Sequence, residues 1–309
     1  MVEQQHAIAA RPELVKLADG VLAYIQPDGG WCVSNAGVLF GHDGPVLIDA
    51  TATVPRARRL REAIDVHTTD PVRTLVITHR HGDHHYGANE VAPDATVIAH
   101  RHARDQIIAD GLNLTGIWKD VTWGDIRLRA PSVTFADRMT IHCGTRRAEL
   151  IHPGPAHTTG DTLVWLPDER ILFAGDIVFS GVTPLVMMGS VTGSLRTLQM
   201  LRDLDPRIVV GGHGPIAGPE AIDANEAYLR WVWQLAQQGK AEGLTPLKTA
   251  ENTDLGAFAQ LLDPERLVAN LHRAYAELDG AAEGAELEPF AILADIIAYN
   301  GGAIPTCLA

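Results

Sequence analysis

The sequence predicts an α/β fold in which two β-sheets pack face to face and carry helices on their outer sides. Short apolar runs alternate with helical patterns over the first two thirds of the 309-residue chain. The alternation occurs in both halves of this region, and strands of this kind need a second layer to bury their apolar faces. After Gly218 the pattern becomes mostly helical, which predicts a helical C-terminal extension.

The strands of the first half are apolar runs bounded by turn residues. Asp28-Gly29-Gly30 and His42-Asp43-Gly44 have the composition of hairpin turns and separate the first three runs. A helical pattern with proline in its first turn follows, which is a position that helices tolerate. The predicted strands are residues 21–26, 31–40, 45–50, 74–78 and 96–99, and the predicted helices are residues 55–65 and 102–109.

The second half repeats this scheme before the helical region begins. Leucines at 195, 198, 201 and 204 have helical spacing. The predicted strands are residues 126–129, 139–143, 148–152, 162–166, 171–174 and 207–210, and the predicted helices are residues 194–204, 220–238, 255–262, 264–278 and 287–299. We place a catalytic domain at residues 1–218 and a helical extension packed on it at residues 219–309. The extension is expected to cap the core, roof a pocket or form a homodimer face.

Composition and charge argue against several functions. The net charge is −13, whereas nucleic-acid binding normally needs a basic face. Three cysteines argue against a disulfide scaffold and favour a reducing cytoplasm, and their dispersal argues against a cysteine-based zinc site. No run approaches the length of a membrane span, and the first eleven residues lack the apolar region of a signal peptide. We therefore expect a cytoplasmic protein with neither nucleic-acid nor membrane partners.

A cluster of histidines and one aspartate follows the predicted strand 74–78. His79 and His81 project in the same direction from an extended segment, because alternate residues share a face. Gly82 allows the backbone to bend, so that Asp83 and His84 turn toward a second position. Imidazole nitrogens and carboxylate oxygens are ligands of Zn²⁺ and similar ions. The segment therefore predicts a metal site.

Three further candidate ligands lie at the ends of predicted strands among small residues. They are His157, Asp176 and His213. With the first cluster they supply five histidines and two aspartates, which suffice for two divalent ions, with Zn²⁺ expected. Metal identity does not follow from the ligands, because such sites accept several ions.

This pattern, His79-x-His81-x-Asp83-His84 with the three later residues, resembles the metallo-β-lactamase superfamily over residues 18–218. The resemblance implies an αββα sandwich with the metals at one edge of the sheets. It assigns His79, His81 and His157 to one metal, Asp83, His84 and His213 to the other, and Asp176 to a bridging position. Asp49 matches an aspartate behind the metal loop and is expected to orient the loop or a ligand histidine.

A closer resemblance points to a substrate. The segments GWCVSNAG (residues 30–37), GGHGP (211–215), YNGG (299–302) and PTCLA (305–309) are similar to the second- and third-ring cyclases of actinorhodin-type aromatic polyketide pathways. That resemblance implies a cyclase/thioesterase acting on a polyketide tethered to an acyl carrier protein. The bridging Asp176 alternatively fits glyoxalase-II-like hydrolases and lactonases of small substrates. An iron oxygenase and a binding protein with a relic site are further alternatives.

Thioester hydrolysis and aldol cyclisation would use the same groups of this site. Bound metals provide a nucleophile and polarise a carbonyl, and Asp83 is a candidate proton acceptor. We expect Asp83 and Asp176 to be catalytic. Apolar walls with a few polar anchors suit a flat, oxygen-rich ligand. The candidate pocket residues near the motifs are Trp31, Asn35, Tyr86, Trp118 and Met187, with Arg80 and Met188 as further candidates.

Overall fold

Two mixed β-sheets form the centre of the protein, which a computed structural model describes over residues 11–309. The first sheet contains, in spatial order, β1 (Glu13–Ala18), β2 (Val21–Ile25), β3 (Ala36–Leu39), β4 (Val46–Ile48), β5 (Thr74–Val76), β6 (Thr96–His100) and β7 (Val133–Phe135). The second contains β8 (Arg138–Cys143), β9 (Arg146–Ile151), β10 (Leu163–Leu166), β11 (Ile171–Phe179) and β12 (Ile208–His213), in the spatial order β12-β11-β10-β9-β8. Strands β4 to β7 are parallel, as are β11 and β12.

The helices lie outside the sheets and in the C-terminal region. They are α1 (Val54–Asp65), α2 (Ala88–Val91), α3 (Arg101–Asp110), α4 (Asn113–Ile117), α5 (Val191–Asp203), α6 (Glu220–Ala241), α7 (Pro246–Glu251), α8 (Arg266–Leu278) and α9 (Pro289–Tyr299). Short 3₁₀ helices occupy Gly82–His84 and Gly256–Phe258. Among residues 11–309, no helix combines the length and hydrophobicity that a membrane span requires.

Side-chain alternation along the strands builds three apolar layers. Val46 and Ile48 of β4 point between the two sheets, whereas Leu47 points outward to Leu60 and Ile64 of α1. The same alternation in the second sheet directs Leu172 outward to a cluster formed by α5, α6, α8 and α9. Because neighbouring residues of a strand face opposite sides, each sheet buries both faces. The predicted αββα sandwich with C-terminal helices is therefore confirmed.

The C-terminal helices share their apolar cluster with the second sheet. Val232 of α6 and Leu271 of α8 lie in the same buried cluster as Leu172 of β11 and Leu198 of α5. This packing places the extension directly against the sandwich. The division at residue 218 stays a prediction.

Three predicted elements differ from the structure. The strand predicted at 31–40 begins only at Ala36, because Trp31 and Cys32 form a turn in which Cys32 is left-handed with φ of 61°. The strand predicted at 126–129 is an irregular segment, and β7 lies further along the chain. Arg129 donates to the carbonyls of Ala92 and Ala95 there, so side-chain bonds take the place of a strand ladder.

The helix predicted at 255–262 is a short 3₁₀ turn, since Gly256 is left-handed with φ of 50°. The regular helix of this region lies earlier, at α7, where the side chain of Thr245 caps the N-terminus by accepting from the Lys248 backbone. Strand β1 and the short helices α2 and α4 were not predicted. Their brevity or partial exposure leaves little periodic signal in the sequence.

Candidate metal centre

The loop after β5 carries four of the predicted ligands and bends at Gly82. A Cβ atom at this position would lie 2.2 Å from Cζ of Tyr86, so the ring of Tyr86 packs against a residue that must be glycine. The 3₁₀ turn Gly82–His84 then places Asp83 and His84 in a second cluster, with the ring of His84 only 4.2 Å from that of His79. The loop thereby supplies ligands to two adjoining clusters.

The first cluster consists of His79, His81, His157 and Asp176, whose ligand atoms lie within 4.8 Å of one another. Nδ1 of His81 lies 3.1 Å from Nε2 of His79 and 2.8 Å from Nε2 of His157. Oδ2 of Asp176 lies 3.4 Å from Nε2 of His157 and 3.7 Å from that of His79. Three imidazoles and one carboxylate therefore converge on one point.

The second cluster consists of Asp83, His84 and His213 and adjoins the first. Oδ2 of Asp83 lies 3.3 Å from Nε2 of His213 and 3.7 Å from Nε2 of His84. Asp176 also faces this cluster, because its Oδ1 lies 3.1 Å from Nε2 of His84 and its Oδ2 lies 3.5 Å from Nε2 of His213. The carboxylate of Asp176 thus lies between the two groups of histidines.

The hydrogen bonds of these histidines leave one nitrogen of most rings facing the clusters. The Nδ1 atoms of His157 and His213 contact the carbonyls of Leu185 and Gly29, and Nδ1 of His84 lies 2.8 Å from Oδ2 of Asp49. Such partners fix the tautomer of a metal-binding histidine. Among residues 11–309, the buried atoms Nε2 of His84 and Oδ1 of Asp176 have no hydrogen-bond partner. Two orphaned atoms between two ligand sets fit a pair of divalent cations.

The histidines of the two clusters differ in the direction of their pKa shifts. Burial, together with the neighbouring histidines, holds the pKa values of His79 and His81 well below the usual range. At the second cluster, burial also lowers the pKa of the histidines, but the carboxylates of Asp176 and Asp83 outweigh it. They raise the pKa of His84 well above its usual range and that of His213 to about 9. Without metal, the first cluster therefore favours neutral imidazoles, whereas the carboxylates of the second favour the protonated form of His84 and His213, a proton that a bound cation would displace.

A cavity of about 1200 Å³ opens above the clusters. Asp83, Asp176, His81 and His213 line its floor. Its walls are mainly apolar, and the extension supplies Pro289, Phe290, Leu293 and Ile296 of α9 together with residues 304–309. Of the roles expected for the extension, the structure shows that it roofs a pocket. A dimer face stays a prediction.

Three of the five predicted pocket residues line this cavity. They are Trp31, Trp118 and Met187, and Met188 joins them. The rings of Trp31 and Trp118 are 5.6 Å apart at 44°, and Nε1 of Trp31 donates to Oε1 of Glu265. The side chains of two tryptophans therefore form one tilted aromatic wall.

The other two predicted pocket residues lie outside the cavity lining. The side-chain amide of Asn35 donates to the carbonyls of Gly211 and Gly214, so it joins the loop before β3 to the end of β12. The hydroxyl of Tyr86 donates to Oδ1 of Asn113 in a buried cluster. Arg80 forms a bidentate ion pair with Asp110. All three have internal partners and none lines this cavity, and contact with substrate stays a prediction.

Several residues of the site carried no recognised signal. Phe290 and Leu293 lie in a strongly apolar helical pattern, which indicated a helix but not a cavity wall. Asp161 accepts hydrogen bonds from the backbone and hydroxyl of Thr158 and so holds the loop of His157, and burial raises the pKa of this carboxyl to about 7. Cys32 and Cys307 are 275 positions apart in sequence, yet both line the cavity.

Comparisons with known proteins agree with this architecture. Residues 29–213 match the family model described as the metallo-beta-lactamase superfamily. The 2,4-dinitroanisole O-demethylase subunit alpha of Nocardioides sp. strain JS1661 is 32% identical over 175 residues, which are 56% of this chain and 50% of that protein. A metallo-beta-lactamase type 2 of Bacteroides fragilis is 23% identical over 232 residues, which are 72% of this chain and 87% of that protein.

Solved structures show the same fold at lower identity. A metallo-beta-lactamase from Pontibacter korlensis superposes with a TM-score of 0.60 at 22% identity, over 71% of this chain and 99% of that one. The metallo-beta-lactamase FIM-1 from Pseudomonas aeruginosa gives 0.57 at 18% identity, over 72% and 96%. The chain thus spans half the length of its 32%-identical relative and nearly all of these structures.

Proposed function

The chain belongs to the metallo-β-lactamase superfamily of metal-dependent, hydrolase-type enzymes, and we propose that it is a dinuclear cyclase/thioesterase for an aromatic polyketide held on an acyl carrier protein. The proposed ions are Zn²⁺, held by the seven residues of the two clusters. The alternative is a glyoxalase-II-like or lactonase-like hydrolase, which uses the same ligands on small thioesters or lactones.

One observation carries the choice of a bulky substrate. The cavity above the clusters has a volume of about 1200 Å³, and the side chains of α9 and residues 304–309 enclose it with mostly apolar groups. Ligand pockets commonly measure about 300–1,000 Å³. A small thioester leaves most of this volume unfilled, whereas a multi-ring acyl chain buries its surface against the tryptophan wall and α9.

The chain's own residues suit both proposed reactions. Divalent cations in this site would polarise a carbonyl and lower the pKa of a water molecule. Asp83 lines the cavity floor, where its carboxylate can accept the proton that lies between two carbonyls during aldol closure. The tilted wall of Trp31 and Trp118, in which the guanidinium of Arg266 covers one face of Trp31, contacts a flat acyl chain, and α9 excludes water from the remaining volume.

A relative's name supports an aromatic substrate. The 32%-identical protein is named for demethylation of 2,4-dinitroanisole, which is an aromatic ether. The match covers half of that protein and 56% of this chain. It supports an aromatic ring near the metals, and the polyketide itself rests on the cavity and on the resemblance of residues 30–37, 211–215 and 299–309.

The test compares two substrates on metal-loaded protein. Elemental analysis measures bound metal, and turnover is then followed on an aromatic polyketide thioester mimic and on a small acyl thioester. We expect two zinc ions per chain and a kcat/KM for the mimic at least tenfold above that for the small thioester. Mass and ultraviolet spectra of the product distinguish a ring-closed acid from a linear one.

Phe290→Ala isolates the contribution of the roof. Phe290 is 82% exposed, so its truncation leaves the fold intact. We expect kcat/KM to fall several-fold for the mimic and to stay unchanged for the small thioester. Val66→Ala, at an 81% exposed residue outside the cavity lining, is the matched control. Efficient turnover of the small thioester alone, with no effect of Phe290→Ala, supports the small-substrate hydrolase instead.

A further inference from the structure

Two of the three cysteines meet in the cavity wall. Cys32 and Cys307 both line the cavity, and their side chains are near enough for each to change the pKa of the other thiol. They also belong to one apolar cluster with Tyr86 and Trp123. The third cysteine, Cys143, is buried between the two sheets in a different cluster. The chain therefore contains one thiol pair and one separate thiol.

The loop that carries Cys32 is a tight turn with an unusual backbone conformation. Cys32 has φ of 61°, a conformation that residues with a Cβ atom rarely adopt, and a turn from the Gly30 carbonyl to the Val33 amide encloses it. Cys32 is 4% exposed, whereas Cys307 is partly exposed. Cys307 is thus the more accessible of the two cysteines, and Cys32 is the buried one.

The segment 303–309 that carries Cys307 is held against the sandwich at few points. Nε1 of Trp118 donates to the carbonyl of Pro305 over 2.8 Å. Arg56 donates to the carbonyl of Leu308 and, through its other terminal nitrogen, to Oε1 of Gln26. These contacts are made to irregular backbone, and the segment forms part of the cavity wall. A covalent bond at Cys307 would add a fixed anchor.

We propose that Cys32 and Cys307 form an oxidisable dithiol site for low-molecular-weight disulfides, in which closure of a Cys32–Cys307 disulfide pins segment 303–309 in the cavity wall. Oxidation of the thiol pair does not depend on the substrate suggested above, and it can be measured without turnover.

The reaction is a double thiol–disulfide exchange. The neighbouring Cys32 side chain lowers the pKa of the Cys307 thiol, whereas burial raises the pKa of Cys32 well above its usual range. Cys307 thiolate attacks one sulfur of the external disulfide and releases one thiol. Cys32 then loses its proton and attacks Sγ of Cys307, which releases the second thiol. The protein loses two electrons and two protons, and the external disulfide is reduced to two thiols.

The experiment treats metal-loaded protein with oxidised glutathione and counts thiols after denaturation. We expect the count to fall from three to one, the intact mass to show loss of two hydrogens, and peptide mapping to join Cys32 to Cys307. Hydrogen exchange of the amides in segment 303–309 should slow several-fold in the oxidised protein. Reduction should restore both the thiol count and the exchange rate.

Single-cysteine variants provide the controls. Cys307→Ser should keep its two remaining thiols after the same treatment, whereas Cys143→Ser should lose both of its own. Three thiols in the treated wild-type protein would overturn the proposal, as would a persistent glutathione adduct on Cys307. Closure of the disulfide without slower exchange in segment 303–309 would overturn the pinning of the wall.

Discussion

The carboxylate of Asp49 links the metal-binding loop to the end of β4. Its Oδ2 lies 2.8 Å from Nδ1 of His84 and accepts the hydroxyl of Thr78 over 2.8 Å, while its Oδ1 accepts the Thr78 amide over 2.8 Å. An ionised carboxylate only accepts hydrogen bonds, so Nδ1 of His84 carries a proton. Nε2 of His84 is thereby left to face the clusters as a donor to metal.

Asp49→Asn should weaken metal binding at the second cluster. The amide group can donate to Nδ1 of His84, which moves the ring proton to Nε2 and blocks the metal-facing atom. We expect one of the two ions to bind about 10- to 100-fold more weakly, as is typical when such a partner is lost. Competition with a chromophoric chelator measures both affinities. Asp125→Asn, at an exposed residue, is the control, and unchanged affinities in Asp49→Asn would contradict the argument.

Asp176→Ala should reduce metal content more severely. The carboxylate faces both clusters, at 3.4 Å from His157 and 3.1 Å from His84, so its loss removes a ligand from each. We expect one ion per chain or fewer after desalting, and a fall in turnover of more than about a hundredfold, since loss of an outer partner alone costs 10- to 100-fold. Asp168→Ala, in the exposed turn between β10 and β11, should bind metal normally. Two tightly held ions in Asp176→Ala would rule out a bridging carboxylate.

Asn35→Ala should destabilise the fold rather than weaken substrate binding. The side chain is 3% exposed and makes three buried hydrogen bonds, to Gln26, Gly211 and Gly214. Without the Asn35 side chain, its backbone partners stay buried and unpaired, which costs about 1–3 kcal/mol for each unsatisfied group. We expect the free energy of unfolding to fall by about 2–4 kcal/mol in urea titrations. Asn252→Ala, at an exposed residue, should change it little; normal stability with a raised KM would return Asn35 to the substrate site.

His100→Phe should reduce the slope with which the free energy of unfolding falls as the pH is lowered. Burial, with His152 and His102 nearby, lowers the pKa of His100 from 6.5 to about 4 in the folded protein. The rings of His100 and His152 stack 3.7 Å apart at 9°. As pH falls from 6.5 toward 4, the unfolded chain takes up this proton before the folded protein does. Stability is therefore full above pH 6.5 and is lost through that interval.

Urea titrations of metal-free protein between pH 7 and 4 measure this effect. One such proton contributes a slope of at most about 1.4 kcal/mol per pH unit. His100→Phe should lack that contribution whatever its absolute stability, and His42→Ala, at an exposed residue, should keep the wild-type slope. Identical slopes in wild type and His100→Phe would exclude His100 as the titrating group.

Much of the fold and the ligand set could be read from local pattern. Strand alternation at Val46, Leu47 and Ile48 specifies two buried faces, which require layers on both sides. His79, His81, Asp83 and His84 lie within six consecutive positions of one loop, and their spacing already determines which side chains share a direction. His213 ends β12 as predicted, whereas Asp176 lies within β11 and His157 lies in the loop between β9 and β10. The packing of the two sheets brings all three beside the first loop.

What the sequence by itself determined was therefore the class of fold and the kinds of side chain offered to metal, because both follow from short-range geometry and ligand chemistry. Only the tertiary structure decided that Asn35 fastens a loop, that Phe290 roofs a cavity and that Cys32 meets Cys307. Those contacts join distant parts of the chain through the packing of whole helices. No residue type or spacing specifies such a contact, because it depends on the summed positions of every element between the two partners.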